Sequence, residues 1–207
     1  MPVREYKMKY DPKIHHRKSI RLKGYDYSQP GFYFVTAAAL YMQCIFGDIL
    51  GGEMRLSAFG EVVKEEWMKS AEKRREVELD QFVIMPNHFH AIVILKGAQH
   101  AVPVREAFGR PAAGSLPTIM RAFKAATAKT INELRGTPGK AVWHRNYYEH
   151  VIRDDEDLDR IREYIFYNPS QWNEDADNPN KIKNCTGTAC RAHDGHSSLC
   201  PYITPLR

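Results

Sequence analysis

Two histidines one residue apart, His88 and His90 in Met85-Pro86-Asn87-His88-Phe89-His90-Ala91-Ile92-Val93-Ile94, are the residues best suited to chemistry. The run that holds them is β-branched and apolar. On a strand, side chains alternate, so both imidazoles project from one face. Such a pair can clamp a metal but leaves the site incomplete, and the same spacing also suits two structural histidines facing solvent. Residues 154–169 offer what is missing. Tyr164 and Asn168 are four residues apart, one above the other on a helix face, which sets a phenol beside an amide oxygen. Imidazole nitrogens and a carbonyl oxygen with open positions suit Mg²⁺ or Mn²⁺ engaged with a phosphate oxygen. The competing reading packs Tyr164 with Phe166 and Tyr167 in an aromatic cluster.

The elements that must position these residues follow from periodicity. Residues 32–37 and 44–49 read as strands, and 81–85 with 88–95 as a hairpin or a kinked central strand pair. The stripe Phe59, Val62, Val63, Trp67 and Ala71 marks a helix from Ser57 to Arg75. A second helix starts near Ser115 or Thr118 and ends at Leu134, with Ile119, Phe123, Ala126, Ile131 and Leu134 buried. Residues 143–152 read as a strand with an aromatic pair, Tyr147 and Tyr148. The third helix opens at Asp154 or Asp155, turns Leu158, Ile161 and Ile165 inward, and stops near Asn168, because Pro169 disfavours helical geometry in the residue before it. This order predicts an α+β fold with helices covering one face of a mainly antiparallel sheet. Residues 1–30 read as a basic arm, 31–172 as the catalytic domain and 173–207 as a flexible tail.

The chain of 207 residues carries a formal charge of +5, unevenly divided. Residues 1–23 hold eight Lys/Arg against two acids and residues 105–145 hold eight against two, whereas residues 146–178 hold three against ten. Two basic blocks set against an acidic one favour a nucleic-acid partner over a neutral metabolite. Arg17, Lys18, Arg21 and Lys23 in the arm, with Arg121, Lys124, Lys129 and Arg135 on the second helix, are the candidate phosphate contacts. Tyr147 and Tyr148 are equally suited to stacking bases and to packing on the sheet. The sequence has neither an apolar signal segment nor a membrane-spanning run of about 18 apolar residues, so a cytoplasmic protein is expected. Cys185, Cys190, His193, His196 and Cys200 are zinc-type ligands at a spacing that matches no common knuckle or ribbon, and a plain tail is expected there.

The strand FVIMPNHFHAIVIL with the downstream YEHVIRDDEDLDRIREYIFYNP resembles the HUH motif and tyrosine helix of the single-tyrosine HUH transposases. The upstream RKSIRLKGYDYSQPGFYFVT resembles the opening of their REP-associated members. The resemblance covers about residues 17–172 and implies a ferredoxin-like, RRM-like domain with the HUH motif on a central strand. It implies that His88 and His90 bind metal, that Tyr164 is the nucleophile, and that Asn168 is the third ligand, where several relatives carry Gln. The implied activity is cleavage and rejoining of single-stranded DNA near hairpins through a 5′-phosphotyrosine, assisted by Mg²⁺ or Mn²⁺, by a monomer or a homodimer associated with the nucleoid when bound to DNA. Two other readings share these residues: a non-catalytic, domesticated nucleic-acid-binding protein of the same fold, and a metal-dependent phosphoesterase that uses water.

Overall fold

The computed structural model describes residue 22, residues 25–96 and residues 113–181. Arg17, Lys18, Arg21, Lys23 and the tail cysteines therefore lie outside the described residues. The elements run β1 (Gly31–Ala38), a 3-10 turn (Leu40–Met42), β2 (Gly47–Leu50), β3 (Glu53–Leu56), α1 (Ala58–Glu72), β4 (Val77–Ile84), β5 (His88–Leu95), α2 (Leu116–Leu134), β6 (Tyr148–Ile152), α3 (Asp155–Tyr167) and a 3-10 helix (Pro169–Glu174). The main sheet has the order β4-β5-β1-β6, so the histidine strand is central. All of its pairings are antiparallel.

β1 and β5 are apolar on both faces, which dictates two covering layers rather than one. Tyr33, Val35 and Ala37 of β1 and Phe89, Ala91, Val93 and Leu95 of β5 share a core with Trp67 of α1 and Ile119 and Phe123 of α2. Rings lock it: Trp67 meets Phe89 at 4.8 Å and Phe123 at 5.0 Å between centroids. The alternate residues, Phe34 and Ile92, pack with Leu158, Ile161 and Ile165 of α3. The α+β class and antiparallel sheet stand as expected. The third helix, however, covers the opposite face from α1 and α2, because each central strand presents an apolar surface on either side.

The caps are legible in the sequence. Ser57 accepts from the Gly60 N–H at 3.2 Å, and Asp154 accepts from the Asp157 N–H at 2.8 Å. Other details differ from expectation. Leu134 is 58% exposed, and the inward stripe of α2 instead uses Met120, Thr127 and Asn132. The apolar run at 44–49 is half of a small β2–β3 hairpin. It begins at Gly47, φ +146°, where a Cβ would lie 2.0 Å from the Arg55 carbonyl oxygen, and turns at Gly51 and Gly52. Within the expected arm, Tyr27 is buried in the larger core. Within the expected tail, Asn178 is buried and donates to the Trp172 carbonyl at 2.9 Å.

α3 is anchored by a defect in β4. The β4–β5 register shifts between Leu79 and Phe82, and Asp80 lies in that irregularity. Its carboxylate accepts from Arg162 of α3 at 2.5 Å through Nη2 and 3.1 Å through Nε. The fork-like pairing fixes the helix against the sheet edge next to β5.

Candidate functional site

Alternation along β5 puts His88, His90 and Ile92 on the α3 side, where His90 lies flat on Phe34, its centroid 5.4 Å away. Both histidines are buried, as is Asn168. Tyr164 of α3 meets His90: its hydroxyl is 3.1 Å from Nε2, and its ring stands edge-on to Phe34. Trp172, one turn past Asn168, stands 6.1 Å from His88 between centroids. The helix thus runs along β5 with Tyr164 over His90 and its end toward His88. Four residues of helix advance about 6 Å and two residues of strand about 6.6 Å, so Tyr-x₃-Asn and His-x-His are matched rulers.

The hydrogen bonds settle the state of His88. The Asn87 amide nitrogen donates to the carbonyls of Met42 at 3.2 Å and Asp177 at 2.8 Å. Its other terminal atom is therefore the oxygen, which only accepts. That oxygen lies 2.8 Å from His88 Nδ1, so Nδ1 carries the proton and Nε2 keeps its lone pair. Burial pulls the His88 pKa down to about 3 and holds His90 well below the usual imidazole range, with His88 adding to the latter effect. Both rings are neutral, the form that ligates metal. His90 Nδ1 lies 2.7 Å from Thr36 Oγ1, which orients the second ring.

Two buried acceptors here have no hydrogen-bond partner, His88 Nε2 and Asn168 Oδ1. Trp67 Nε1 is also buried without one, but it is a donor among apolar rings. A buried acceptor left without a partner suits something electrophilic. Among the described residues no group of three or more His, Cys, Asp or Glu could hold a metal ion, so a third protein ligand here has to come from another residue type. The donor set His88 Nε2, His90 Nε2 and Asn168 Oδ1 fits a borderline to hard divalent cation with positions left open.

The basic residues predicted on α2 are not brought to this site. α2 packs on the far side of the sheet. Lys124 donates to the carbonyls of His144, Arg145 and Asn146 at 2.7, 3.2 and 3.1 Å, so its ammonium ties down the loop before β6 instead of facing a phosphate. Burial draws its pKa down to about 8. Arg135 closes the end of α2 on Asn132 Oδ1 at 2.6 and 2.9 Å. Arg121 and Lys129 are exposed, the latter 4.0 Å from Glu133 and lining a cavity of about 460 Å³ remote from the histidines. Tyr147 packs on the larger core and Tyr148 on the smaller. Sequence reasoning missed Thr36, Asn87 and Asp80. Asn87 could have been found as the polar residue next to His88 in an otherwise apolar run.

No protein-family model matches the chain. An uncharacterised Haemophilus influenzae protein is 40% identical over 174 residues, spanning 81% of this chain and 96% of its own. A second protein of that organism, named as a REP-associated tyrosine transposase, is 32% identical over 87 residues, 42% of this chain and 46% of its own. The solved structure of a REP-associated tyrosine transposase bound to a REP hairpin superposes with a TM-score of 0.50 at 17% identity, covering 75% of this chain and 74% of that one. Over part of its length the chain is similar to one REP-associated tyrosine transposase, and it superposes on the structure of another. What it has in common with that structure is the transposase fold, an antiparallel sheet with helices. No helix of the described residues is long and apolar enough to cross a membrane.

Proposed function

We propose that the chain is a metal-dependent single-tyrosine DNA nickase and strand transferase of HUH type, acting on single-stranded DNA beside a hairpin. The observation that carries this reading is the Tyr164 hydroxyl 3.1 Å from His90 Nε2, with a buried acceptor left without a partner on His88 (Nε2), two residues along β5, and another on Asn168 (Oδ1), one turn along α3. His88, His90 and Asn168 would hold Mg²⁺ or Mn²⁺. Such an ion, when bound, supplies Lewis acidity toward a phosphate oxygen.

The remaining chemistry belongs to the chain. Tyr164 Oη forms the new bond to phosphorus, the bond to the 3′ oxygen breaks, and that oxygen leaves as a hydroxyl after taking a proton from solvent. A 5′-phosphotyrosine results, and the reverse attack by a 3′-hydroxyl rejoins the strand. Tyrosine, with an ordinary pKa of about 10, must lose its own proton. The nearest base is His90 Nε2, but the lone pair that would take the proton is the one that would bind the ion. The 3.1 Å contact sets the phenol against that nitrogen, and with an ion held there the proton would have to pass to water. The fold, shared with a transposase bound to a REP hairpin, supports hairpin DNA as the partner.

The test incubates the full chain with Mn²⁺ and single-stranded hairpin DNA and looks for a covalent protein–DNA adduct. It should form in Mn²⁺, vanish in chelator and vanish in Tyr164→Phe. An adduct that persists in Tyr164→Phe overturns the nucleophile, and tight binding without any adduct supports the non-catalytic reading instead.

A further inference from the structure

Beside Tyr164, the exposed side of α3 carries a cleft. Its volume is about 280 Å³ and its walls are Arg160, Glu163, Tyr164, Tyr167 and Gln171. Arg160, Tyr164 and Tyr167 recur at four and three residues, so they line one helix face, and the nucleophile proposed above is the middle member. The volume is close to the lower end, roughly 300 Å³, of pockets that take small ligands.

Three features give the cleft a chemistry. Tyr167 is 47% exposed and Phe166, edge-on to it at 5.0 Å, is 68% exposed. Aromatic surface left in water at the end of a helix is costly unless something covers it. Arg160 is held in place: its guanidinium donates to Asp157, whose other oxygen lies 2.6 Å from His150 Nε2 on β6. A cation pinned by a His–Asp pair inside the acidic block gives a phosphate one point of attachment where its neighbours repel it. Glu163 and Gln171 supply polar groups of the kind that read a base edge.

We propose that this cleft is a subsite for the nucleotide adjoining the scissile phosphate, one whose base bears an exocyclic amino group. The inference rests on the reading of Tyr164 as nucleophile. Tyr167 stacks on the base, as aromatic platforms do for single strands. Arg160 meets the flanking phosphate. The Glu163 carboxylate, which when ionised can only accept hydrogen bonds, takes one from the amino group of cytosine, adenine or guanine. Thymine carries a carbonyl where cytosine and adenine carry the amino group, which sets two acceptors against each other there and leaves the ring N–H as its one donor.

The test reads binding rather than chemistry, so it stands apart from the adduct assay. The full chain carrying Tyr164→Phe is used to select, in Mn²⁺, from single-stranded DNA hairpins with a randomised flank. One flank position should exclude thymine about tenfold or more, the size expected of a good base-edge contact. Glu163→Gln, whose amide can also donate, should take thymine at that position and leave the rest of the selected sequence unchanged. Tyr167→Ala should weaken binding about tenfold on the preferred strand and not at all when that nucleotide is abasic. Both side chains are exposed, so an unchanged melting temperature confirms that neither variant has unfolded. A flank that takes all four bases equally, or a thymine exclusion that survives Glu163→Gln, overturns the subsite even if the adduct forms. Loss of the adduct with the base preference intact overturns the phosphotyrosine chemistry instead.

Discussion

β5 has two faces built from alternate residues of one strand, and they are built for different ends. Phe89, Ala91, Val93 and Leu95 enter a core of rings and aliphatic side chains under α1 and α2. Phe89 alone has Trp67 at 4.8 Å and Phe123 at 5.2 Å. His88 and His90, on the other face, are as deeply buried, yet they sit among an amide, a hydroxyl and a phenol and leave acceptors unmatched. The first face stabilises the fold through apolar area removed from water. The second gives up some of that stability to hold two neutral imidazoles, His88 in a fixed tautomer. Burial serves both, excluding water around rings on one side and around lone pairs on the other.

Breaking the apolar face should have the largest effect. Trp67→Ala is expected to lower unfolding free energy by about 3–5 kcal/mol, read by urea denaturation. His88→Ala should cost much less in the metal-free protein, since it also deletes an orphaned acceptor, but it should abolish the rise in melting temperature that Mn²⁺ produces. Equal losses from the two variants would erase the distinction between the faces.

Asn87→Ala tests whether the polar face is organised as a unit. It strips a partner from His88 Nδ1 and from the Met42 and Asp177 carbonyls. The expected cost is about 2–3 kcal/mol, together with a 10- to 100-fold fall in Mn²⁺ affinity by titration calorimetry. The Met42 contact adds to this cost, because Tyr41 and Met42 occupy left-handed backbone, φ 56° and 53°, in the turn that Asn87 holds. A stability loss with unchanged Mn²⁺ affinity would remove Asn87 from the metal argument.

Smaller effects sharpen the picture. Tyr164→Phe should change stability by only about 1 kcal/mol, the value of one hydrogen bond, while tightening Mn²⁺ binding a few-fold because the phenol no longer occupies His90 Nε2. Weaker Mn²⁺ binding would make the phenol an ally of the ion, not a competitor. The smallest effect concerns pH. Burial pushes the Asp157 carboxyl up, but hydrogen bonds from His150 and Arg160 outweigh it and leave the pKa below the ordinary value. A depressed carboxyl contributes stability above its unfolded pKa and loses it as the pH falls through the folded one, so melting temperature should decline below about pH 4. Asp157→Asn should flatten that decline.

Much of this was legible one residue at a time. The caps at Ser57 and Asp154, the antiparallel sheet and the histidine strand follow from local chemistry that does not depend on distant partners, whereas Asn168 keeps helical geometry (φ −54°, ψ −46°) before Pro169 and the chain runs on as a 3-10 helix. Leu134 was misread because an apolar residue at the end of a helix matches the periodicity even where the core has already ended. Lys124 was misread because charge alone does not tell a cation facing solvent from one folded back onto carbonyls. The side of the sheet taken by α3 was implicit in the unbroken apolar run of β1, which calls for cover on both faces.

By itself the sequence determined the pieces and their spacing: His-x-His at a strand step, Tyr-x₃-Asn at a helix turn, and a helix rich in acids that follows two basic blocks. The tertiary structure decided how they meet. The register shift in β4 aims Asp80 at Arg162 and seats α3 over β5, which brings Tyr164 onto His90 across 74 residues of chain. Asn87 then fixes the His88 tautomer through carbonyls 45 and 90 residues away. Spacing along a chain can be read from local geometry, whereas a lone pair left without a partner in a buried site is known only once every neighbour has been placed.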